Sequence, residues 1–209
     1  MVAKLSTRPY MRARHTLGLA LWRRGKYRDA IAEFQAMLKR NPRDNQGVRH
    51  LFGPQYHLSG DLRGAVPTYK DASPDPDSVG DPTNESSFGL ALFQLKRYAR
   101  GGFPYRYAFF LNLYLPRVVL SQKARPPDIW HGSNLAEPEY ALDYWEEYGM
   151  LWRGQREAQR FLRLVYDDEV VRSELNAFIE IAAKLRNEHD FRERGPFVDE
   201  YMKFKNRGG

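Results

Sequence analysis

The chain of 209 residues contains no cysteine. This excludes disulfide bridges, thiol catalysis and cysteine-ligated metal, and it fits a cytoplasmic location, which is our expectation. The sequence also has no run of eighteen apolar residues, so we predict no transmembrane helix and no membrane partner. Its first fifteen residues, MVAKLSTRPYMRARH, lack the apolar core of a secretory signal.

Motifs for catalysis and cofactor binding are missing too. The sequence has no P-loop, no dinucleotide-binding glycine motif and no nucleophile elbow. His50 and His57 are two helical turns apart, about 10 Å along a straight helix, which is too far for a shared metal site. The remaining histidines have no partner at metal-ligand spacing. We therefore predict a protein that is not an enzyme and holds no metal or cofactor.

The net charge of +7 is distributed unevenly. Residues 1–44 hold eleven Lys and Arg against three acids, whereas residues 128–150 hold six acids and no base. A basic stretch of this kind attracts nucleic acid, an acidic protein surface or the acidic segment of the same chain. Nucleic-acid binding ranks as the alternative function, because Lys and Arg on helix surfaces are usually only solvated. The residues that would carry it are Arg12, Arg14, Arg23, Arg24, Lys26, Arg28, Lys39 and Arg40.

The segment from residue 14 to residue 47 has the pattern of two antiparallel helices. Its apolar side chains fall at helical spacing, and one hairpin alone cannot bury them. Gly18 and Ala30 are small where two helices must approach closely. Gly25 ends the first helix, and Asn41-Pro42 ends the second because proline disfavours helix at the residue before it. Neighbouring hairpins are therefore expected to cover the exposed stripes.

The same spacing recurs twice further along the chain. Phe52-Gly53 follows Leu17-Gly18 by thirty-five residues, and Phe88-Gly89 follows after another thirty-six. We predict helices over residues 11–24 and 27–40 after a flexible basic lead-in over residues 1–10. An exposed loop is expected over residues 71–87.

The second half of the third hairpin and the C-terminal region have their own predictions. Gly101, Gly102 and Pro104 predict an interrupted helix that restarts at Pro104 and runs to about residue 115. Further helices are expected over residues 137–153, 155–166 and 168–186, and Gly195-Pro196 predicts a break before a last helix over 197–205. This C-terminal region is predicted to cap the hairpins, with separate recognition as the alternative.

The spacing of Leu17-Gly18, Leu21, Gly25, Tyr27, Ala30, Phe34 and Pro42 resembles that of a tetratricopeptide repeat. Residues 41–49, NPRDNQGVR, resemble the NPxDNQGxR signature of a bacterial tetratricopeptide-repeat family that is echoed in suppressor-of-tumorigenicity proteins of animals. The resemblance covers about residues 11–155. It implies an all-α solenoid with about three hairpins over residues 11–125 and capping helices over 126–209, and it implies no catalytic activity.

The signature has a structural interpretation of its own. Asn41, Asp44 and Asn45 carry short polar side chains that satisfy free backbone groups at helix ends. We favour this capping role over ligand binding.

In the tetratricopeptide architecture the first helices of successive hairpins line a concave groove. The family positions that face it map onto Arg12, His15, Leu19, Trp22, Arg23, His50, His57, Leu90, Phe93 and Gln94. Such a basic and aromatic groove suits a peptide with acidic and apolar side chains. For Trp22, packing against the next hairpin is an equally weighted alternative. The sequence therefore predicts a protein-interaction adaptor or assembly subunit with a protein partner.

Overall fold

The structure, a computed structural model, describes residues 8–44, 46–71, 80–122 and 126–206. These residues are all-α and contain no strand, which confirms the all-α part of the predicted fold class. The chain divides into two compact units, residues 1–76 and 77–209. The predictions for residues 1–7, for Asn45 and for the loop segment 72–79 concern residues outside the described ranges.

The first unit contains four helices in two hairpins. These are α1 (Arg8–Arg23), α2 (Tyr27–Arg40), α3 (Arg49–Leu58) and α4 (Leu62–Lys70). The predicted bounds of α2 are confirmed at both ends. α1 begins at Arg8, so the prediction of a flexible lead-in as far as residue 10 is wrong there. The guanidinium groups of Arg14 and Arg40 lie 5.2 and 4.8 Å from the Tyr10 ring centroid, and these cation–π contacts stabilise the added turn.

The described part of the second unit begins with a third hairpin and continues into five further α-helices. The hairpin consists of α5 (Pro82–Gln94) and α6 (Tyr98–Leu111). After it come α7 (Leu115–Val119), α8 (Pro138–Tyr148), α9 (Arg156–Asp167), α10 (Glu169–Asn187) and α11 (Phe191–Lys205). Short 3-10 helices occupy Asn134–Ala136 and Gly149–Leu151.

A glycine lies against an aromatic ring in each of the three hairpins. The two residues are sixteen positions apart every time: Gly18 and Phe34, Gly53 and Tyr69, Gly89 and Tyr105. A Cβ atom at these glycines would lie 2.4, 2.4 and 2.5 Å from the nearest ring atom, which is closer than packed atoms approach. All three rings are buried. The glycines are therefore required by the close crossing of the two helices.

A second small residue lies twelve positions after each of these glycines. Ala30 and Ala65 are fully buried, and Gly101 takes this place in the third hairpin. A Cβ at Gly101 would lie 3.3 Å from the carbonyl oxygen of Gly89. The prediction that Gly101, Gly102 and Pro104 interrupt the helix is wrong, because Gly101 serves the helix crossing and α6 continues through it.

Two further boundaries differ from the sequence-based expectations. α11 runs unbroken through Gly195-Pro196, since Pro196 lies in the second turn and the later Tyr201 and Phe204 are packed in the core. The predicted loop over residues 71–87 ends earlier, because α5 begins at Pro82. There the Asp81 carboxylate accepts hydrogen bonds from the backbone N–H groups of Thr83 and Asn84.

All three hairpins turn through the same backbone motif. In each hairpin, the N–H three residues beyond the first helix donates to a carbonyl five residues earlier: Lys26 to Leu21, Asp61 to Tyr56 and Arg97 to Leu92, at 2.9 Å each. This is the bond of a Schellman motif, which needs a left-handed residue just before it. Gly25 and Gly60 hold that position at φ of 71° and 82°, and Lys96 holds it at 58°.

The predicted capping role of the NPRDNQGVR segment is confirmed for Asp44. Its two carboxylate oxygens accept hydrogen bonds from the backbone N–H groups of Val48 (2.9 Å) and Arg49 (2.8 Å), at the start of α3. The Asn41 side chain donates to Gln46 at 2.8 Å, which closes the turn. This segment is therefore a joint between the first two hairpins, which also meet through the rings of Phe34 and Phe52.

In the second unit, α9, α10 and α11 pack on α6. Arg106 of α6 forms a bidentate ion pair with Glu174 of α10, with nitrogen to oxygen distances of 2.6 to 3.1 Å. Phe178 lies among the rings of Phe110, Tyr201 and Phe204, with centroids 4.8 to 5.8 Å away. These aromatic contacts bury the C-terminal helices against the third hairpin.

We predict that Gly89→Ala destabilises the protein by about 2 kcal/mol, because the added methyl overlaps the Tyr105 ring and the core cannot yield without strain. Gly195→Ala is the matched control, since a Cβ there meets nothing within 4 Å and alanine favours helix. It should stabilise by about 0.5–1 kcal/mol. Denaturant unfolding followed by circular dichroism measures both variants, and equal effects would contradict the packing argument.

We expect Lys96→Gly to stabilise the protein by roughly 1 kcal/mol, because glycine adopts the left-handed conformation of Lys96 without strain. Lys39→Gly, placed in the last turn of α2, should destabilise by about the same amount since that residue is helical. Thermal and denaturant unfolding of the two variants give the signs. Destabilisation by Lys96→Gly would show that its lysine side chain matters more than its backbone strain.

Candidate functional site

Half of the predicted groove residues lie on accessible surface of the first unit. Arg12 and Arg23 are exposed on α1, and Leu19 is half-buried between them. His15 is half-buried with its ring centroid 6.0 Å from that of Phe34. Since residues 12, 15, 19 and 23 share one helix face, they form a continuous stripe of two cations, an imidazole and an apolar side chain, which we call the α1 stripe. His50 is exposed on α3.

Three predicted groove residues are core residues instead. Leu90 is fully buried, and His57 and Trp22 are 6% and 7% exposed. The His57 ring nitrogen Nδ1 lies 3.2 Å from the Tyr69 hydroxyl, which gives the imidazole a buried hydrogen-bond partner. The placement of these three in an open groove is therefore corrected: a side chain with almost no exposed surface cannot be a contact for a peptide.

The last two predicted groove residues, Phe93 and Gln94, lie in the second unit, as Leu90 does. Phe93 is half-buried between the rings of Tyr98 and Phe161, each with its centroid 5.2 Å away. Gln94 is half-buried at the end of α5. Phe93 thus packs within its own unit, where its contact with Phe161 holds α9 against the third hairpin.

The basic set predicted for nucleic acid is partly occupied by contacts within the first unit. Arg14 pairs with Glu33 at 3.1 Å, and both Arg14 and Arg40 lie over the Tyr10 ring. The other members of the set on the turn and on α2 are exposed: Arg24, Lys26, Arg28 and Lys39. The basic surface that remains is a short strip at the turn and along α2.

A buried network of hydroxyl groups joins α5 to α8 in the second unit. The Tyr144 hydroxyl is 3.0 Å from Ser87 Oγ and accepts a hydrogen bond from Trp152 Nε1 at 2.8 Å. One turn earlier, the Tyr140 hydroxyl donates to Asp81 at 2.7 Å. Sequence periodicity places the tyrosines on one helix face, but their partners Ser87 and Asp81 lie more than fifty residues away, and a single sequence has no signal for such pairs.

Glu85 lies one turn after Asp81 and is the perturbed carboxyl group of this region. Its pKa is raised from 4.5 to about 7. Burial is the main cause, the charge of Asp81 also raises the pKa, and a hydrogen bond with Asn84 lowers it. Burial likewise raises the pKa of Tyr140 and Tyr144. The tyrosines therefore remain protonated donors at neutral pH, and the network is a structural one.

A second network, formed by Tyr114, His131 and Glu137, was also not predicted from the sequence. His131 Nε2 lies 2.8 Å from the Tyr114 hydroxyl, and His131 Nδ1 lies 3.0 Å from Glu137. The Tyr201 hydroxyl donates to the His131 carbonyl at 2.6 Å. Burial raises the pKa of Tyr114 to about 12, so its hydroxyl is a poor base or nucleophile at neutral pH. These hydrogen bonds hold the segment between α7 and α8 against Tyr114, at the start of α7, and against Tyr201 of α11.

Comparison with known proteins gives no relative: the chain matches no protein-family model, no curated protein and no solved structure. In the described ranges, no three His, Asp or Glu side chains converge as metal ligands would. None of the helices in those ranges has the length and apolarity needed to cross a membrane.

We predict that the pH dependence of stability is reduced in Glu85→Gln. A carboxyl group whose folded pKa is raised favours the native state while protonated, so this contribution is lost as pH rises from about 4.5 through 7. The free energy of unfolding falls by at most about 3 kcal/mol, the limit that the size of the pKa shift sets, and screening by solvent makes the fall smaller. Urea unfolding at pH 5 and pH 8 should show a smaller difference for Glu85→Gln than for the wild type. Glu157→Gln, exposed on α9, is the control, and an unchanged difference in Glu85→Gln would contradict the assignment.

Proposed function

We propose that the protein is a non-catalytic adaptor or assembly subunit of the tetratricopeptide-repeat type. The proposal has the α1 stripe as its binding surface and an acidic, partly apolar segment of a protein partner as its ligand. The single observation that carries it is the α1 stripe itself, in which Arg12 and Arg23 are exposed on either side of Leu19.

The hairpin geometry supports the tetratricopeptide assignment. Three features recur in all three hairpins. A glycine packs against an aromatic ring sixteen residues later, a small residue lies twelve residues after that glycine, and the two helices are joined by the same Schellman turn. A repeated unit of this kind leaves one face of its first helix free of the hairpin contact, and repeat proteins use such faces for binding.

The chemistry of the α1 stripe favours an acidic partner. Arg12 and Arg23 lie three helical turns apart, about 16 Å along the axis, and each offers a planar set of donors that matches a carboxylate. Leu19 and the edge of His15 give apolar contact between them. A helix or extended strand with acidic side chains around an apolar one satisfies both features.

The alternative is nucleic acid, held by the exposed Arg24, Lys26, Arg28 and Lys39. It ranks second because Arg14 and Arg40 are already engaged with Tyr10 and, for Arg14, with Glu33. Four phosphate contacts would make the affinity fall steeply as salt rises.

The experiment is a quantitative pull-down from the native cell with nuclease present, comparing wild type with Arg12→Glu/Arg23→Glu. We expect the recovery of at least one stoichiometric partner protein to fall about tenfold or more with the double variant, since two charge-assisted contacts become repulsive. Arg63→Glu, exposed on α4, is the charge-matched control and should retain the partner.

A parallel pull-down without nuclease decides between the two functions. Recovery of nucleic acid that nuclease and high salt remove, and that Arg24→Gln/Arg28→Gln abolishes, would favour the alternative. A partner that binds the double variant as tightly as the wild type would overturn the α1 stripe as the site.

A further inference from the structure

The second unit contains a cleft with an unusual lining. Its volume is about 240 Å³, and it lies between the end of α7 and one face of α9. Residues 119–121 supply an apolar wall and the Ser121 side chain. The opposite wall consists of Arg156, Gln159, Arg160 and Arg163. Three arginines therefore border one small space.

The positive charge of this cleft is poorly compensated within the described part of the chain. Arg160 forms an ion pair with Glu157 at 2.5 Å, in which both side chains are largely exposed. Arg156 and Arg163 have neither an ion pair nor a side-chain hydrogen bond among the described residues. Because like charges at i and i+4 destabilise a helix, the placement of Arg156 and Arg160 costs stability unless an anion binds there.

The arginines do not serve as caps for α7. The last carbonyls of that helix accept hydrogen bonds from the backbone: Pro116 from Leu120, Val118 from Ser121 and Arg117 from Gln122. The end of α7 is thus closed by its own turn, in which Ser121 has a φ of 54°. Among the described residues, the carbonyls at the end of α7 accept no hydrogen bond from Arg156, Arg160 or Arg163.

The size and charge of the cleft define the ligand class. Its volume is below the roughly 300–1,000 Å³ of sites for whole drug-sized ligands, so it takes a single functional group or a short side chain. After the Arg160–Glu157 pair is discounted, two uncompensated guanidinium groups remain, which match a dianion. Guanidinium groups bind phosphate through paired N–H donors, and the Gln159 amide and Ser121 hydroxyl add neutral donors.

We propose that this cleft binds a phosphate monoester group, carried by a small phosphate ester or by a phosphorylated side chain of a partner. The site lies in a different unit from the α1 stripe and does not depend on the function proposed above.

The test is titration of the full chain, at constant ionic strength, with glycerol 2-phosphate and with a blocked phosphoserine tripeptide. Binding is followed by calorimetry and by amide chemical shifts. We expect shifts confined to residues 117–122 and 155–163. A phosphomonoester is mostly monoanionic at pH 5 and dianionic at pH 7.5, because its second pKa is near 6, so its affinity should rise about tenfold over that range. Sulfate, a dianion at both pH values, should bind equally at both.

Matched variants show whether the arginines are responsible. Arg156→Gln/Arg163→Gln removes both charges while it keeps polar side chains and helix propensity, and it should weaken binding of both ligands by about tenfold or more. Arg192→Gln, exposed on α11, should leave the affinity within about twofold of the wild type. Equal circular dichroism spectra of the variants verify the fold.

The outcomes separate cleanly. Tighter binding of the phosphoserine peptide than of glycerol 2-phosphate supports a phosphorylated partner, and equal binding supports a small ester. The proposal is overturned if neither ligand binds, if Arg192→Gln weakens binding as much as the double variant, or if dimethyl phosphate, a monoanionic diester, binds as well as the monoesters. The last result would indicate a nucleic-acid backbone site.

Discussion

The contact of a glycine with an aromatic ring is the constraint on which each hairpin depends. Gly89 lies so close to Tyr105 that any side chain on it would overlap the ring, and the same holds for Gly18 and Gly53 with their rings. The close approach lets the ring fill the space between two helices and fixes their crossing. The residues around the contact then face either the core or the solvent according to their helical position.

Polar groups extend this organisation in the second unit. Asp81 caps α5 with one carboxylate oxygen and accepts from Tyr140 of α8 with the other. Its charge also raises the pKa of the neighbouring Glu85. One side chain therefore caps the start of α5, bonds α8 to it and contributes to how this region responds to pH. Tyr144 adds a buried link through Ser87 and Trp152, and satisfied polar groups of this kind favour one packing arrangement over others.

Some arginines of this protein form ion pairs that stabilise the fold, and others lie exposed on its surface. Arg106 is committed to Glu174, and Arg14 to Glu33 and Tyr10. Arg12 and Arg23 on the α1 stripe, and Arg156 and Arg163 beside the cleft at α9, are exposed instead. The two proposed sites differ in shape, since the stripe is a linear helix face and the cleft is a small recess. They would accordingly recognise an extended acidic segment and a single anionic group.

The sequence by itself determined the helical periods, the all-α class, the spacing of the hairpins, the bounds of α2 and the capping role of Asp44, because each depends on residues close in the chain. Tertiary structure decided the rest. Gly101 and Pro196 look like helix breakers locally, yet packing outweighs their cost. Leu90 and His57 were predicted in a groove but lie in the core. Tyr144 bonds to the distant Ser87, and the two walls of the cleft beside α9 come from segments far apart in the chain. Burial and long-range pairing are properties of the folded chain, which local patterns do not contain.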